Sequence, residues 1–472
     1  MIEGMLPRST PSAAGVDAQG VRDFVRAATD SGLELHSLMI VRGGAVVAQG
    51  WWEPYTPDGT ALVYSLSKML TSTAVGIAVG EGLVDLDATV SEALGDQAPA
   101  RAAPWVHRAR VRDLLAMSSG HESDGLEAMM AAVVAGHDPL ATFLTLPAEH
   151  APGEVFTYNQ GCTLTLAAIL ARVTGERLLD WLRPRLLEPL GIDRIAWTPM
   201  PGLTGPTGAG LEQGFSGAQV TTAAIAALGE LWRREGRWGE EQLVPRDYLE
   251  AARSTQVDNV GRHTEPDWQR GYGFQVWRSR HGYRGDGAFG QLCLVLPEQE
   301  AVVAVTAQTE LMQRELDLVW EHLLPALESG GGTAQADEAL ERELAALRLE
   351  PPPRLVRRPE SVVGLLDVDH RVVESAPLLG RVESVRISRR DGGFVMTWRA
   401  DGADHETPVG VGAWLRGELP SPWSFPPAVA VAGEAGADGI RVRVVYVESP
   451  HALTVTITGD GARMSWVTQP LR

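Results

Sequence analysis

The chain has one lysine, Lys68, among 41 basic residues, and a serine stands three positions before it in Tyr64-Ser65-Leu66-Ser67-Lys68. Every other basic side chain of this count is a guanidinium, which stays protonated at any relevant pH. A desolvated ammonium can release its proton and act as a base. A serine hydroxyl needs such a base before it attacks a carbonyl. Three residues is nearly one helical turn, so a helix starting at Ser65 puts hydroxyl and amine on one face. The free N–H groups and dipole of a helix start also favour an oxyanion forming there. An exposed lysine titrates near 10.4, and bringing it near 7 takes about 4–5 kcal/mol of differential interaction. Burial beside a helix start supplies part of that, and a nearby phenol can share the proton.

The flanking pattern provides a scaffold for this pair. Val21, Phe24, Val25 and Ala28 recur at helical spacing within 17–31. His36–Arg42 and Ala45–Trp52 read as a hairpin about Gly43-Gly44, and the nucleophile helix runs from about Ser65 to Gly80, closed by Gly82. Helical patterns follow at Val111–Met117, Leu126–Val134, Leu164–Val173, Leu178–Leu190 and Thr222–Arg234. Gly273–Trp277, Gln291–Leu296 and Ala301–Val305 read as three late strands, and Leu311–Leu324 as a closing helix stopped by Pro325. Early strands, a helical middle, late strands and a closing helix predict an α/β (α+β) sandwich. Its antiparallel sheet joins both ends of this region.

Ser329-Gly330-Gly331-Gly332-Thr333 marks a linker, followed by an Ala/Glu/Leu-rich helix at about 337–349 and Pro351-Pro352-Pro353. From about Arg354 the pattern is nearly all strand, with turns at Asp391-Gly392-Gly393 and Gly459-Asp460-Gly461. The expected division is therefore a sandwich unit over 1–328, a linker and helix over 329–353, and a C-terminal antiparallel β domain over 354–472, an open, lipocalin-like barrel.

At 472 residues two or three domains are expected. Hydrophobic content of 44% and charged content of 21% are those of a globular protein, and the net charge of −19 argues against nucleic acid and anionic membranes as partners. Cys162 and Cys293 lie in apolar runs and read as buried free thiols, which suits a reducing compartment. No signal-peptide pattern or apolar run of membrane-spanning length is seen, so a cytoplasmic location is expected. HExxH, paired CxxC, a Walker loop and GxSxG are absent from the sequence, and neither a metal nor a cofactor is expected.

Further along, Pro152-Gly153-Glu154-Val155-Phe156-Thr157-Tyr158-Asn159-Gln160, Val111–Gly120 and Gly82–Asp87 appear in order after Ser65 and Lys68. Together these segments resemble the serine hydrolases of the class C β-lactamase and DD-peptidase-like superfamily, over about residues 10–325. The resemblance implies Ser65 as acylated nucleophile, with Lys68 and Tyr158 sharing general acid and base work. It implies backbone N–H groups of Ser65 and Ala288 as the oxyanion hole. The family's second motif ends in an Asn, and here Asn159 and Gln160 are the two amides that could meet substrate. Its third motif, K/H-T/S-G, is best matched by Gly285-Asp286-Gly287, which lacks the cation that grips a substrate carboxylate. Asp286 reads more readily as a turn-former in a Gly-rich bend than as a catalytic residue, and strand alternation turns Arg284 to the opposite face. Penicillin-degrading and carboxypeptidase activities are weakened by that gap, while ester, amide and lactone chemistry remains open.

The leading expectation is a hydrolase of a small ester or amide. A D-amino-acid-specific peptidase or peptide cyclase, and a catalytically inactive binding protein, are the alternatives. Tyr64 reads as packing, Trp51 and Trp52 as sheet-face packing, and His121 and Glu122 as loop residues near the cleft.

Overall fold

The structure is a computed structural model that describes residues 6–352, 360–390, 393–421, 426–436 and 439–471. Helix α1 (Ala18–Asp30) starts where Asp17 accepts from the Gln19 N–H at 2.9 Å, and it buries Val21, Phe24, Val25 and Ala28 on one stripe. Strands β1 (Glu34–Arg42) and β2 (Ala45–Trp51) form the expected hairpin. Gly43 and Gly44 turn it with φ of 59° and 86°, the left-handed pair that a two-residue primed turn requires.

Four later strands, β3 (Trp277–Arg278), β4 (Tyr283–Gly287), β5 (Gln291–Leu296) and β6 (Ala301–Gln308), complete an antiparallel sheet of order β3-β4-β5-β6-β1-β2. Chain ends of the region therefore meet at the β1–β6 seam. The sequence reading of 273–277 as a strand is corrected: only Trp277 pairs. The strand that flanks Ser65 is β4, whose glycines and buried charges hide an apolar alternation.

Helix α2 (Ser67–Gly80) is buried on every side from Ser67 to Ala78, which is why its apolar residues show little one-sidedness. It is preceded by a 3₁₀ turn, Tyr64–Leu66, so Ser65 sits just ahead of the α-helix rather than within it. Helix α3 (Gln160–Thr174) packs against α2, and helix α4 (Thr222–Arg233) lies on β5, β6 and β1. The closing helix is not stopped by Pro325. A π-helical turn at Val319–Leu323 resets the hydrogen bonding, and Pro325 then falls in the first turn of Leu324–Glu328, where its missing N–H costs nothing. Helix α5 (Ala334–Ala345) begins three residues earlier than expected, because the Thr333 side chain caps Ala336 N–H at 3.2 Å.

The C-terminal strands are β7 (His370–Glu374), β8 (Val382–Arg390), β9 (Gly393–Ala400), β10 (Ala403–Val409), β11 (Leu415–Glu418), β12 (Ala428–Gly436), β13 (Gly439–Tyr446), β14 (His451–Thr458) and β15 (Gly461–Trp466). They curl into a nearly closed, mostly antiparallel barrel of order β10-β9-β8-β7-β15-β14-β13-β12-β11, in which β7 and β15 pair in parallel. Its interior carries its own apolar core, including Trp398, Val442 and Val455. The outer face, with Ala430, Ala432, Val445 and Ala452, packs into the core of the N-terminal region. The boundary expected at 353/354 and the Asp391-Gly392 turn lie outside the described residues. Among the described residues, no helix is long and apolar enough to cross a membrane.

Candidate active site

Lys68 is 1% exposed, and its Nζ lies 3.1 Å from Ser65 Oγ. Two carbonyl oxygens surround the same nitrogen: Gln160 Oε1 at 2.7 Å and the Phe215 carbonyl at 2.9 Å. A neutral amine has two N–H donors and one lone pair. With both hydrogens accepted by Gln160 and Phe215, the lone pair is left for the Ser65 hydroxyl. Burial pushes Lys68 down to about 7, against the opposing pull of Asp124 and Asp286.

Tyr158 lies over the same nitrogen, with Nζ 4.6 Å from its ring centroid, and stacks on Trp277 at 5.2 Å. Burial pushes its phenol above the ordinary range, and the neighbouring Ser65 hydroxyl offsets part of that rise. The two amides of the second motif part company. Asn159 is fully buried as the cap of α3, its Oδ1 accepting from Gly161 and Gly125 N–H and its Nδ2 donating to Ser123 carbonyl. It is therefore a fold residue, and Gln160 is the amide presented to the cleft.

The third motif also divides. A Cβ on Gly285 would come within 2.8 Å of Met69 Sδ, and one on Gly287 within 2.1 Å of the Val63 carbonyl. Both glycines let β4 press against the turn that carries Ser65. Asp286 lines the cleft beside Ser65 and Ala288. Arg284 is wholly buried and ion-paired to Asp286, Nε to Oδ2 at 2.7 Å. Neither Ser65 N–H nor Ala288 N–H donates a hydrogen bond among the described residues.

Sequence reasoning missed several contributors. Asp124 accepts from Gln160 N–H at 2.9 Å and Leu126 N–H at 3.1 Å, which fixes the start of α3 beside Lys68. Tyr64 is more than packing: its φ is 45°, a strained value for a non-glycine residue, and its hydroxyl meets His451 Nε2 at 2.6 Å. His451 Nδ1 faces the Thr468 carbonyl at 2.9 Å, which assigns the proton to Nδ1 and makes Nε2 the acceptor. His121 is buried against Trp105 and Phe143 and does not rim the cleft, whereas Glu122 does. Both cysteines are buried and free. Among the described residues no cluster of three or more His, Cys, Asp and Glu side chains could hold a metal ion.

The cleft has two halves that meet at Ser65 and Gln160. One, of about 390 Å³, is walled by Leu62, Leu126, Met130, Met200 and Phe215. The other, of about 430 Å³, is walled by Phe156, Tyr158, Trp268, Trp277 and Asp286. Leu471, trailing from the C-terminal barrel, borders both.

The sequence profile of the Beta-lactamase family matches residues 21–327, more than half of the chain. The chain belongs to the Beta-lactamase family. It is a serine hydrolase of the β-lactamase-related type. The 6-aminohexanoate-dimer hydrolase of Paenarthrobacter ureafaciens is 26% identical over 290 residues, which cover 57% of this chain and 71% of that relative. The octameric penicillin-binding protein homologue from Pyrococcus abyssi has a TM-score of 0.52 at 17% identity, covering 94% of this chain and 99% of that one. EstCE1, a hydrolase with promiscuous acyltransferase activity, has a TM-score of 0.52 at 19% identity, covering 68% of this chain and 100% of that one. The two structures share the β-lactamase-like fold, and the Pyrococcus protein extends the likeness over the C-terminal barrel.

Proposed function

We propose that this protein hydrolyses an ester or amide through an acyl-enzyme on Ser65, with Lys68 as base and Tyr158 as proton donor. The observation that carries the reading is the buried Lys68 amine, lowered to about 7 and 3.1 Å from Ser65 Oγ. Neutral Lys68 takes the hydroxyl proton as Oγ bonds to the carbonyl carbon. The resulting oxyanion is met by the unbonded N–H groups of Ser65 and Ala288. Tyr158, held protonated by burial, passes a proton to the leaving oxygen or nitrogen, and water then cleaves the acyl-enzyme. The 6-aminohexanoate-dimer hydrolase relative, named for an amide-linked dimer, supports the amide arm of this reading. A fluorophosphonate probe followed by peptide mapping tests it: the adduct is expected on Ser65 alone. An unlabelled Ser65 in the folded protein would support the inactive binding reading instead.

The C-terminal barrel braces the nucleophile turn in this proposal. Its His451 holds the Tyr64 hydroxyl, Leu62 N–H donates to the Glu448 carbonyl at 2.9 Å, and Thr60 Oγ1 donates to Glu448 Oε1 at 2.7 Å. Burial pushes His451 down to about 4, so the imidazole stays a neutral acceptor through the working pH range. His451→Ala leaves the buried Tyr64 O–H without its acceptor, at a cost of about 1–3 kcal/mol, and lets the strained Tyr64 relax. The expected result is roughly a tenfold fall in kcat with little change in KM. His451→Gln, which restores an acceptor, should recover most of it; equal loss in both variants would leave no positioning role for His451.

A further inference from the structure

We infer that the aromatic half of the cleft is a pocket for an ammonium-bearing group, so that the preferred substrates join an apolar acyl chain to a cationic leaving group. The inference deepens the hydrolase reading for turnover, while its binding arm stands without it.

Three observations carry it. The first is an available carboxylate. Asp286 is 8% exposed; Oδ2 receives Arg284 Nε, and Oδ1 has no hydrogen-bond partner among the described residues while the side chain lines the cavity. A carboxylate so placed has an oxygen left for a ligand.

The second is the shortage of free cations to answer it. Arg284 is buried, with Nη1 donating to Ser279 Oγ at 2.7 Å and to the Asp267 carbonyl at 3.1 Å, and Nη2 is enclosed away from the cavity. Arg262 at the rim is ion-paired with Glu122 at 2.9 Å. Lys68 faces Ser65 and the two carbonyl oxygens, and must be neutral for attack. Gly285 supplies no side chain at all, and His263, which also lines this half, accepts from Glu265 N–H through Nδ1 and is pushed away from protonation by burial. Among the described residues an anionic substrate group therefore finds no permanent, unpaired cation here.

The third is the wall. Trp268, Trp277, Phe156 and Tyr158 line the same cavity as that carboxylate, and His263 stacks on Trp268 with ring centroids 5.4 Å apart. Aromatic faces attract cations, indole most strongly, and the attraction grows as water is excluded. Arg284 already uses this chemistry from behind, with its guanidinium carbon 4.4 Å from the Trp268 ring centroid. An aromatic lining plus one unsatisfied carboxylate oxygen suits an alkylammonium better than a carboxylate, a phosphate or a neutral alkyl group. The opposite half, walled by Leu126, Met130, Met200 and Phe215, then receives the acyl chain across Ser65.

The test compares butyrylcholine with 3,3-dimethylbutyl butyrate, its uncharged carbon isostere, and measures tetramethylammonium binding by calorimetry. Wild type is expected to favour the choline ester by about tenfold or more in kcat/KM and to bind tetramethylammonium saturably. In Asp286→Asn the ratio should fall to within about twofold, and the binding heat should disappear. A ratio cancels general losses from disturbing Arg284. Trp268→Leu, which keeps both the Asp286 carboxylate and the Arg284 charge, provides a second variant expected to lower the ratio. Equal turnover of both esters without binding heat overturns the pocket and leaves the hydrolase reading intact. Binding that depends on Asp286, with neither ester cleaved, supports the pocket and counts against the hydrolase reading. A preference that survives Asp286→Asn overturns the assignment.

Discussion

Lys68→Arg is expected to fold and to lose about 10²–10⁴ in kcat, because it keeps the charge and removes the amine that can surrender a proton. Burial moves Lys68 only to about 7, which leaves the protonated form accessible near neutral pH, so a charge at this place is expected to be tolerated. Wild-type kcat/KM should rise with pH through about 7 and level off above it, the sign expected when the deprotonated amine is the active form. Stability should move the same way over a wider window. Below pH 7 the amine is charged in both states, and burying it costs about 4–5 kcal/mol. Between 7 and the ordinary 10.5 the folded protein has released a proton that the unfolded chain still holds, so stability climbs with pH. Arg at 68 removes both the activity limb and this climb. Stopped assays and denaturant melts across pH 5.5–9 (about the range where ester controls stay usable) read both. A variant keeping a tenth of wild-type turnover, or an unchanged acid limb in it, would remove Lys68 from the base role.

Much of this site was legible because the decisive residues are close in sequence or rare. One lysine in a chain of arginines, one turn from a serine, announces itself without any knowledge of the fold. Tyr158 was readable from its Pro-Gly-x-x-Phe setting, where a turn and a buried Phe156 bring the ring to the mouth of α3. What stayed hidden depends on through-space pairing. The Phe215 carbonyl that orients the Lys68 amine lies 147 residues away, and a backbone oxygen leaves no trace in side-chain type. His451 is 387 residues from Tyr64 and reaches it only because the outer face of the barrel joins the N-terminal core. Asn159 and Gln160 were equivalent in one dimension. Only the cap geometry of α3 shows that one amide is needed by the backbone and the other is free to face the amine. At β4, Gly-Asp-Gly read as a bend because glycine normally weakens a strand. The clash distances at Gly285 and Gly287 show the opposite requirement: a strand stripped of side chains so that the nucleophile turn can come close.

In the proposed mechanism, the division of labour between Lys68 and Tyr158 follows from their opposite displacements by the same burial. Desolvation disfavours the charged form of each, which makes the amine a ready base and the phenol a reluctant acid that stays protonated. A phenol in that state cannot be the resting base for Ser65, but it is suited to hand its proton to a leaving group as negative charge builds there. Tyr158→Phe keeps the ring on Trp277 and removes only the hydroxyl, so the fold should be retained. Its effect should depend on the leaving group. Alkyl esters and amides, whose leaving atoms must be protonated to depart, are expected to lose about 10²–10⁴ in kcat. A p-nitrophenyl ester, whose phenolate departs unaided, should lose no more than about tenfold in acylation. The measurement is the ratio of the two losses under single-turnover conditions, where acylation is seen apart from deacylation. Equal losses on both substrates would mean that the hydroxyl acts before the leaving group departs, on Ser65 or Lys68 themselves. The acid role would then have to be carried by Lys68, returning the proton it took from Ser65.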